Sequence, residues 1–246
     1  MPVFDDQLQN LSVNGSQYGF SGTRIEDLGA AEYTLVTIAA DVSGSVFAFK
    51  NEIESCIGEI VRACRRSPRA DNLMLRLIAF DSSLEEVHGF KPLSECAPDR
   101  YKGCLRAGGT TALYDAAHNG VGAMTTYGRR LTDHDFDVNG ILFVITDGAD
   151  NASKQTVRGV AAALTDAVSG EHVESMVSIL VGVNVQAANI SKYLMDFSAK
   201  AGFTQYIELN NADAGILARL ADFASRSIAV QSASLGTSAP SQALSF

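Results

Sequence analysis

Short apolar runs alternate with stretches of helical periodicity along most of this chain. "YTLVTIAA" (33–40), "NLMLRLIAF" (72–80), "ILFVIT" (141–146), "MVSILVGV" (176–183) and "TQYIEL" (204–209) have strand length. Several are almost unbroken in their apolar character, which predicts strands buried on both faces. Between them, apolar residues recur at helical spacing. The predicted helices cover 47–66 (Ile53, Ile57, Ile60, Val61, Cys64), 111–127 (Leu113, Ala117, Val121, Met124), 154–168 (Val157, Val160, Ala161, Leu164, Val168), 188–200 (Ile190, Leu194, Phe197) and 213–230. Pro68 stops the first of them. "EEVHGF" (85–90), which follows the turn signal "DSS", predicts a short antiparallel edge strand. The alternation predicts an α/β fold: a doubly wound, mostly parallel sheet covered on both faces, with one short antiparallel edge strand.

The ends of the chain break this rhythm. Residues 1–32 are rich in Gly, Ser, Asn and Asp and predict an irregular N-terminal arm. Residues 33–230 form the expected domain. Residues 231–246, uncharged and serine-rich, predict a flexible tail. "RRLTDHDFDVNG" (129–140) reads as a polar turn.

Composition narrows the class. A chain of 246 residues with 46% hydrophobic content can bury a sizeable core in one domain. A net charge of -9 repels phosphate backbones and argues against a nucleic-acid partner. The densest basic stretch, "RACRRSPR" (62–69), solvates a helix end. Cys56, Cys64, Cys96 and Cys104 are too widely spaced for a zinc knuckle and lack adjacent histidines, so core packing is their expected role. No apolar stretch is long enough to span a membrane, and the early acids Asp5 and Asp6 do not suit a secretion signal. The expected location is a reducing cytoplasm.

In doubly wound sheets, ligands collect beyond the carboxyl ends of the strands. Three loops there carry chemistry. "DVSGS" (41–45) places Asp41, Ser43 and Ser45 where the first long strand stops, with Gly44 allowing a tight turn. A carboxylate and two hydroxyls so spaced can share a hard cation; they can equally form a polar turn that caps a helix. "GGTTALYDA" (108–116) sets Thr110 and Thr111 before a helix, as ligands or as an N-cap. "VITDGADN" (144–151) puts Asp147 just after a buried strand, where a charge is costly unless compensated, although Asp-Gly is also a common turn.

Together these loops resemble the von Willebrand factor type A family over residues 33–230. Members bind a divalent ion at a metal-ion-dependent adhesion site built from DxSxS, a threonine in a later loop and an aspartate after the following core strand. DxSxS reads Asp41-Val42-Ser43-Gly44-Ser45 here, and "FVITDGADN" matches the aspartate loop. Counting back from Asp115 selects Thr111 as the threonine, and counting forward from the glycine pair selects Thr110; the helix fixes the first distance better. The resemblance implies Mg2+ (or Mn2+ or Ca2+), bound directly by Ser43 and Ser45. Thr111 would bind directly or through water, and Asp41 and Asp147 mostly through waters and hydrogen bonds to the serines. It implies a partner protein whose Asp or Glu completes the coordination. Val46 stands where members often carry Met, a departure that leaves the ligands intact. The overall layout looks like intracellular bacterial members, including those of tellurite-resistance and stress operons, which work beside ATPases, kinases or phosphatases.

Other chemistries find little support. His88, His118, His134 and His172 are scattered, and Ser43 has no evident His–Asp partners for a hydrolase triad. "DHDFD" (133–137) reads as a solvated loop rather than a second cation site. "DVSGS" lacks the second Asp of a DxD phosphatase nucleophile, and no GxxxxGK[ST] phosphate loop occurs. The expected function is a cation-dependent adaptor or scaffold, not an enzyme. The rivals are a metal-dependent phosphoester hydrolase and a self-assembling structural subunit.

Overall fold

The computed structural model describes residues 8–170, 173–185, 188–235 and 244–246. Among them one eight-stranded sheet runs through the molecule, with five α-helices around it. The strands are β1 (Leu8–Ser12), β2 (Gly19–Thr23), β3 (Glu32–Asp41), β4 (Leu73–Phe80), β5 (Leu84–Pro92), β6 (Asp137–Thr146), β7 (Met176–Val183) and β8 (Gln205–Leu209). Their order across the sheet is β1-β2-β5-β4-β3-β6-β7-β8. From β4 through β3, β6 and β7 to β8 every pairing is parallel. The antiparallel pairs, β4 with β5 and β1 with β2, lie towards one edge.

The helices are α1 (Lys50–Cys64), α2 (Leu113–Thr132), α3 (Val157–Ser169), α4 (Ala188–Ala201) and α5 (Ala214–Ala233). Alternation along the strands feeds two cores. Val36, Ile38 and Ala40 of β3 and Ile141, Phe143 and Ile145 of β6 face α1 and α5, meeting Ile53, Ile57, Leu220 and Phe223. Leu35, Ala39, Leu142 and Val144 face the other way, against Leu113, Val121, Val160, Leu164, Leu194 and Phe197 of α2, α3 and α4. Because α1 leaves β3 across one face to reach β4 while α3 leaves β6 across the other to reach β7, the connections leave the centre in opposite directions. Between β3 and β6 the carboxyl ends therefore open onto a crevice, the usual ligand position in such sheets.

Several expectations need correction. Residues 8–12 and 19–23, expected to be irregular, form an antiparallel hairpin that extends the sheet through a parallel contact of Gly22 with Phe90. In consequence β5 is neither short nor at the edge. It spans nine residues and has β2 on its outer side. The reason is a set of long-range hydrogen bonds rather than local propensity. Glu86 Oε1 accepts from the Ser21 amide at 2.9 Å and from its hydroxyl at 2.6 Å. Tyr127 Oη donates to the Thr23 carbonyl at 2.7 Å. Arg76, buried in the middle of β4, binds Glu86 Oε2 at 2.6 Å and Asn119 Oδ1 at 2.9 Å, and Asn119 in turn donates to the Tyr18 carbonyl at 3.0 Å. At the other end, α2 continues to Thr132, through part of the stretch read as a turn, because Leu131 is fully buried. His134 there bonds the Arg130 carbonyl at 2.8 Å and finishes the helix. α5 runs to Ala233; half of the expected tail, residues 236–243, and His172 lie outside the described residues. Leu244 packs against the core shared by α1 and α5, and the Phe246 ring meets Phe223 edge-on at 5.6 Å.

Candidate metal centre

Asp41 is the last residue of β3 and is fully buried. Both its oxygens are engaged. Oδ1 accepts from the Ser43 amide at 2.7 Å, and Oδ2 accepts from the Thr146 hydroxyl at 2.6 Å. The chain then turns through a 3-10 segment, Gly44–Ala48. This turn brings Ser45 Oγ to 3.3 Å from Ser43 Oγ and lets it donate to Asp147 Oδ1 at 2.9 Å. Ser43 is buried and Ser45 exposed, so the pair of hydroxyls leads from the interior to the surface.

The second loop is locked to the first by backbone. The Gly108 amide donates to the Val42 carbonyl at 2.7 Å, and the Gly44 amide to the Gly109 carbonyl at 3.2 Å. Gly109 takes φ +73, and a Cβ there would meet Asp81 Oδ2 at 2.9 Å, so the position suits glycine alone. Thr110 is exposed and Thr111 buried. The Thr111 hydroxyl faces the third loop, 3.7 Å from where a Gly148 Cβ would stand. Its backbone is pinned there. The amide donates to Asn151 Oδ1 at 2.7 Å, and the carbonyl accepts from the amides of Asn151 at 3.0 Å and Ala152 at 3.2 Å.

The structure thus brings Asp41, Ser43, Ser45, Thr111 and Asp147 to one end of the sheet. Sequence reasoning missed the residues that brace them. Thr146 holds Asp41. Asn151 holds Thr111. Asp150 accepts from the Tyr114 amide at 3.2 Å, and Asp115 from the amides of Lys154 at 3.1 Å and Gln155 at 2.7 Å, which seals the third loop to the start of α2. Thr146 and Asn151 both lie in the quoted "VITDGADN", so the signal was present as polar residues with no assigned task.

Electrostatically the site is short of positive charge. Burial pushes the Asp41 carboxyl up to about 6, the neighbouring Asp147 charge adding to this while hydrogen bonds from Thr146 and Ser43 oppose it. Burial also raises Asp147, against the hydrogen bond from Ser45. Neither carboxylate forms an ion pair with a described Lys or Arg. The side-chain donor set is entirely oxygen, with no imidazole or thiol, which matches magnesium, manganese or calcium rather than zinc. Ser45 donates its proton to Asp147 and accepts from Ser43, which leaves one lone pair for a cation. Among the described residues no group of three or more His, Cys, Asp or Glu side chains could hold a metal; a centre here relies on hydroxyls.

No family model matches the chain, and no curated protein matches its sequence. Solved structures do share its fold. The PilB minor pilin from Streptococcus sanguinis superposes with a TM-score of 0.56 at 13% identity, over 84% of this chain and 64% of its own. The pilus adhesin SpaC from Lactobacillus rhamnosus GG gives 0.59 at 10% identity, over 91% of this chain and 34% of its own. Proximal thread matrix protein 1 from the mussel byssus gives 0.53 at 16%, over 82% and 47%. The chain therefore spans less than two-thirds of each of these proteins. At such identities the likeness is one of fold.

Proposed function

We propose that the chain is a divalent-cation-dependent protein-binding domain of the von Willebrand factor A type, working as an adaptor rather than an enzyme. The observation that carries this reading is the convergence of Ser43, Ser45 and Asp147, joined by hydroxyl contacts of 3.3 Å and 2.9 Å although the serines and the aspartate stand about a hundred residues apart. Two carboxylates raised by burial, with no lysine or arginine paired to them, call for a cation from outside.

When bound, magnesium supplies an electrophilic centre that a partner's Asp or Glu can complete. The chain's own groups do the rest. Ser43, Ser45 and Thr111 offer neutral oxygens, so the ion's charge stays largely uncompensated by direct ligands. Asp41 and Asp147 orient the hydroxyls by hydrogen bonding. Both carboxylates are held by hydroxyl donors, which suits positioning better than proton abstraction and favours binding over hydrolysis. Four free cysteines, three of them buried, favour a reducing compartment such as the cytoplasm. Among the described residues no helix is long and apolar enough to cross a membrane. One similar structure is named as a pilus adhesin; that likeness is of fold, and the reading rests on the site instead.

Titration calorimetry with magnesium tests the cation. Capture of partners from a lysate in magnesium and in chelator tests the binding role. No magnesium heat at millimolar concentration, or a partner retained equally in chelator, would refute the proposal.

A further inference from the structure

We infer that Phe47 is an apolar anchor on the partner-binding face, and that the partner presents an acidic side chain with an apolar neighbour; this rests on the cation-site reading above. Phe47 is 75% exposed, the highest value among the exposed large hydrophobic residues described. It stands two residues after Ser45 in the same 3-10 turn, which repeats every three residues, so the ring and the Ser45 hydroxyl share one turn of backbone. The other exposed large side chains lie elsewhere: Val168 near the end of α3, at the opposite end of the sheet, Met195 in α4 and Phe246 against α5.

The turn is rigid. Val46 and Phe49 are buried beneath it, and it is tied by hydrogen bonds from the Gly44 amide to Gly109, from Val46 to Ser43 and from Phe49 to Val46. A ring displayed on a fixed turn loses little freedom on contact, so its burial is converted efficiently into affinity. The exposed residues of the neighbouring site loops are small and polar: Ser82, Ser83, Thr110 and Asn151. One aromatic group beside a polar cleft is the arrangement of a binding anchor.

Charge identifies the occupant. Arg106 is exposed and forms no ion pair among the described residues, and it lies two residues before Gly108, whose amide is bonded to Val42 between Asp41 and Ser43. In a chain of net charge -9 this exposed cation, two residues from the backbone that closes on the first site loop, favours an acidic ligand. The carboxylate would enter at the cation, and the residue next to it would cover the Phe47 ring.

The test uses the full chain and an array of short peptides with a central Glu and varied flanking residues, probed in magnesium and in chelator. Retention should require magnesium and the Glu. Leu, Ile or Phe beside the Glu should raise it about tenfold over Gly, as expected for covering an exposed phenyl ring. Phe47→Ser should erase that apolar preference while leaving magnesium affinity, fold by circular dichroism and Glu dependence unchanged, and Phe47→Leu should retain most of it. Magnesium-dependent retention with no apolar preference, or a preference that survives Phe47→Ser, would overturn this inference alone. Failure of every Glu peptide to show magnesium dependence would overturn the cation reading with it.

Discussion

The Thr146 hydroxyl donates to Asp41 Oδ2 at 2.6 Å, joining the last residues of two adjacent central strands at the floor of the candidate site. With Oδ1 taken by the Ser43 amide, the carboxylate has no freedom to turn. Removing the hydroxyl while keeping the shape, as in Thr146→Val, leaves a buried charged oxygen short of a donor. A hydrogen bond to a charged group contributes about 1.5–3 kcal/mol, so magnesium affinity should fall at least tenfold. Thr146→Ser should restore it. Calorimetry on the two variants checks this, and equal affinities would show that Asp41 does not need the brace.

Asp41 itself should not be needed for folding. It is buried, its carboxyl is pushed up to about 6 chiefly by that burial, and Asp147 repels it. In Asp41→Asn the amide oxygen can still accept from Ser43. The amide nitrogen can donate to Thr146, whose hydroxyl then turns to the Gly148 carbonyl, 3.3 Å away. Removing a buried charge that has no cationic partner among the described residues should leave the metal-free protein as stable as the wild type or more stable, by about 1–2 kcal/mol at neutral pH. The same variant should show no magnesium-dependent rise in Tm. An unfolded variant would make Asp41 a structural residue.

How the two strands of the N-terminal hairpin escape a reading of pattern, while β3, β4, β6 and β7 do not, has a physical explanation. The four central strands are buried on both faces, and burial selects continuous apolar sequence. "LQNLS" and "GFSGT" carry no such signal, because their place is set by hydrogen bonds from residues far along the chain. One clue was available in Arg76, a charge inside the otherwise apolar "NLMLRLIAF". A guanidinium there needs a carboxylate, and Glu86 with the docked hairpin answers that need. At the site, the five residues carrying the resemblance could be named from the family's pattern. Their braces could not, since Thr146, Asn151 and Asp150 become meaningful only when the loops meet.

Gly89 tests how the hairpin is held. A Cβ at this position would stand 2.1 Å from the Ser21 hydroxyl oxygen and 2.2 Å from the Ser21 carbonyl oxygen. Backbone cannot yield as a side chain can, so Gly89→Ala should separate β2 from β5. We expect a loss of about 1–3 kcal/mol in urea unfolding, typical of overpacking, with faster proteolysis confined to the N-terminal residues. Unchanged stability would mean that the hairpin is not seated on β5 in solution.

His88 on β5 supplies a pH dependence. Burial lowers its imidazole to about 4, with Lys91 and Arg76 acting in the same direction. Its Nδ1 lies 2.9 Å from the Gly89 carbonyl and its Nε2 2.9 Å from the Tyr101 hydroxyl, an arrangement that a neutral ring satisfies by donating from one nitrogen and accepting at the other. An unfolded histidine titrates near 6.5, so the unfolded chain takes up a proton first as the pH falls. His88 therefore favours the folded state fully above that pH, and the contribution drains away between about 6.5 and 4. In urea unfolding the stability of His88→Gln should fall less steeply than that of the wild type across this window, and the two slopes should agree above pH 7.

Ser45 allows the cation and the hydroxyl to be tested in one thermodynamic cycle. In chelator, Ser45→Ala removes the hydrogen bond to Asp147 and the longer one with Ser43, on the exposed side of the site, each contributing about 0.5–1.5 kcal/mol. In magnesium, the same substitution also deletes a ligand. Bound ligand stabilises a folded protein by RT ln(1 + [L]/Kd), about 2.7 kcal/mol at a hundredfold excess over Kd, and a weakened site forfeits much of that. The cost of Ser45→Ala should therefore be larger in magnesium than in chelator, and the difference is the coupling between hydroxyl and ion. Ser43→Ala should show a comparable coupling, because its hydroxyl lies 3.3 Å from that of Ser45 and would address the same ion. Thr110→Ala should show almost none if Thr111 is the ligand, and Thr111→Val should show it clearly. Equal costs with and without magnesium for Ser43, Ser45 and Thr111 alike would mean that these hydroxyls serve only to hold three loops together.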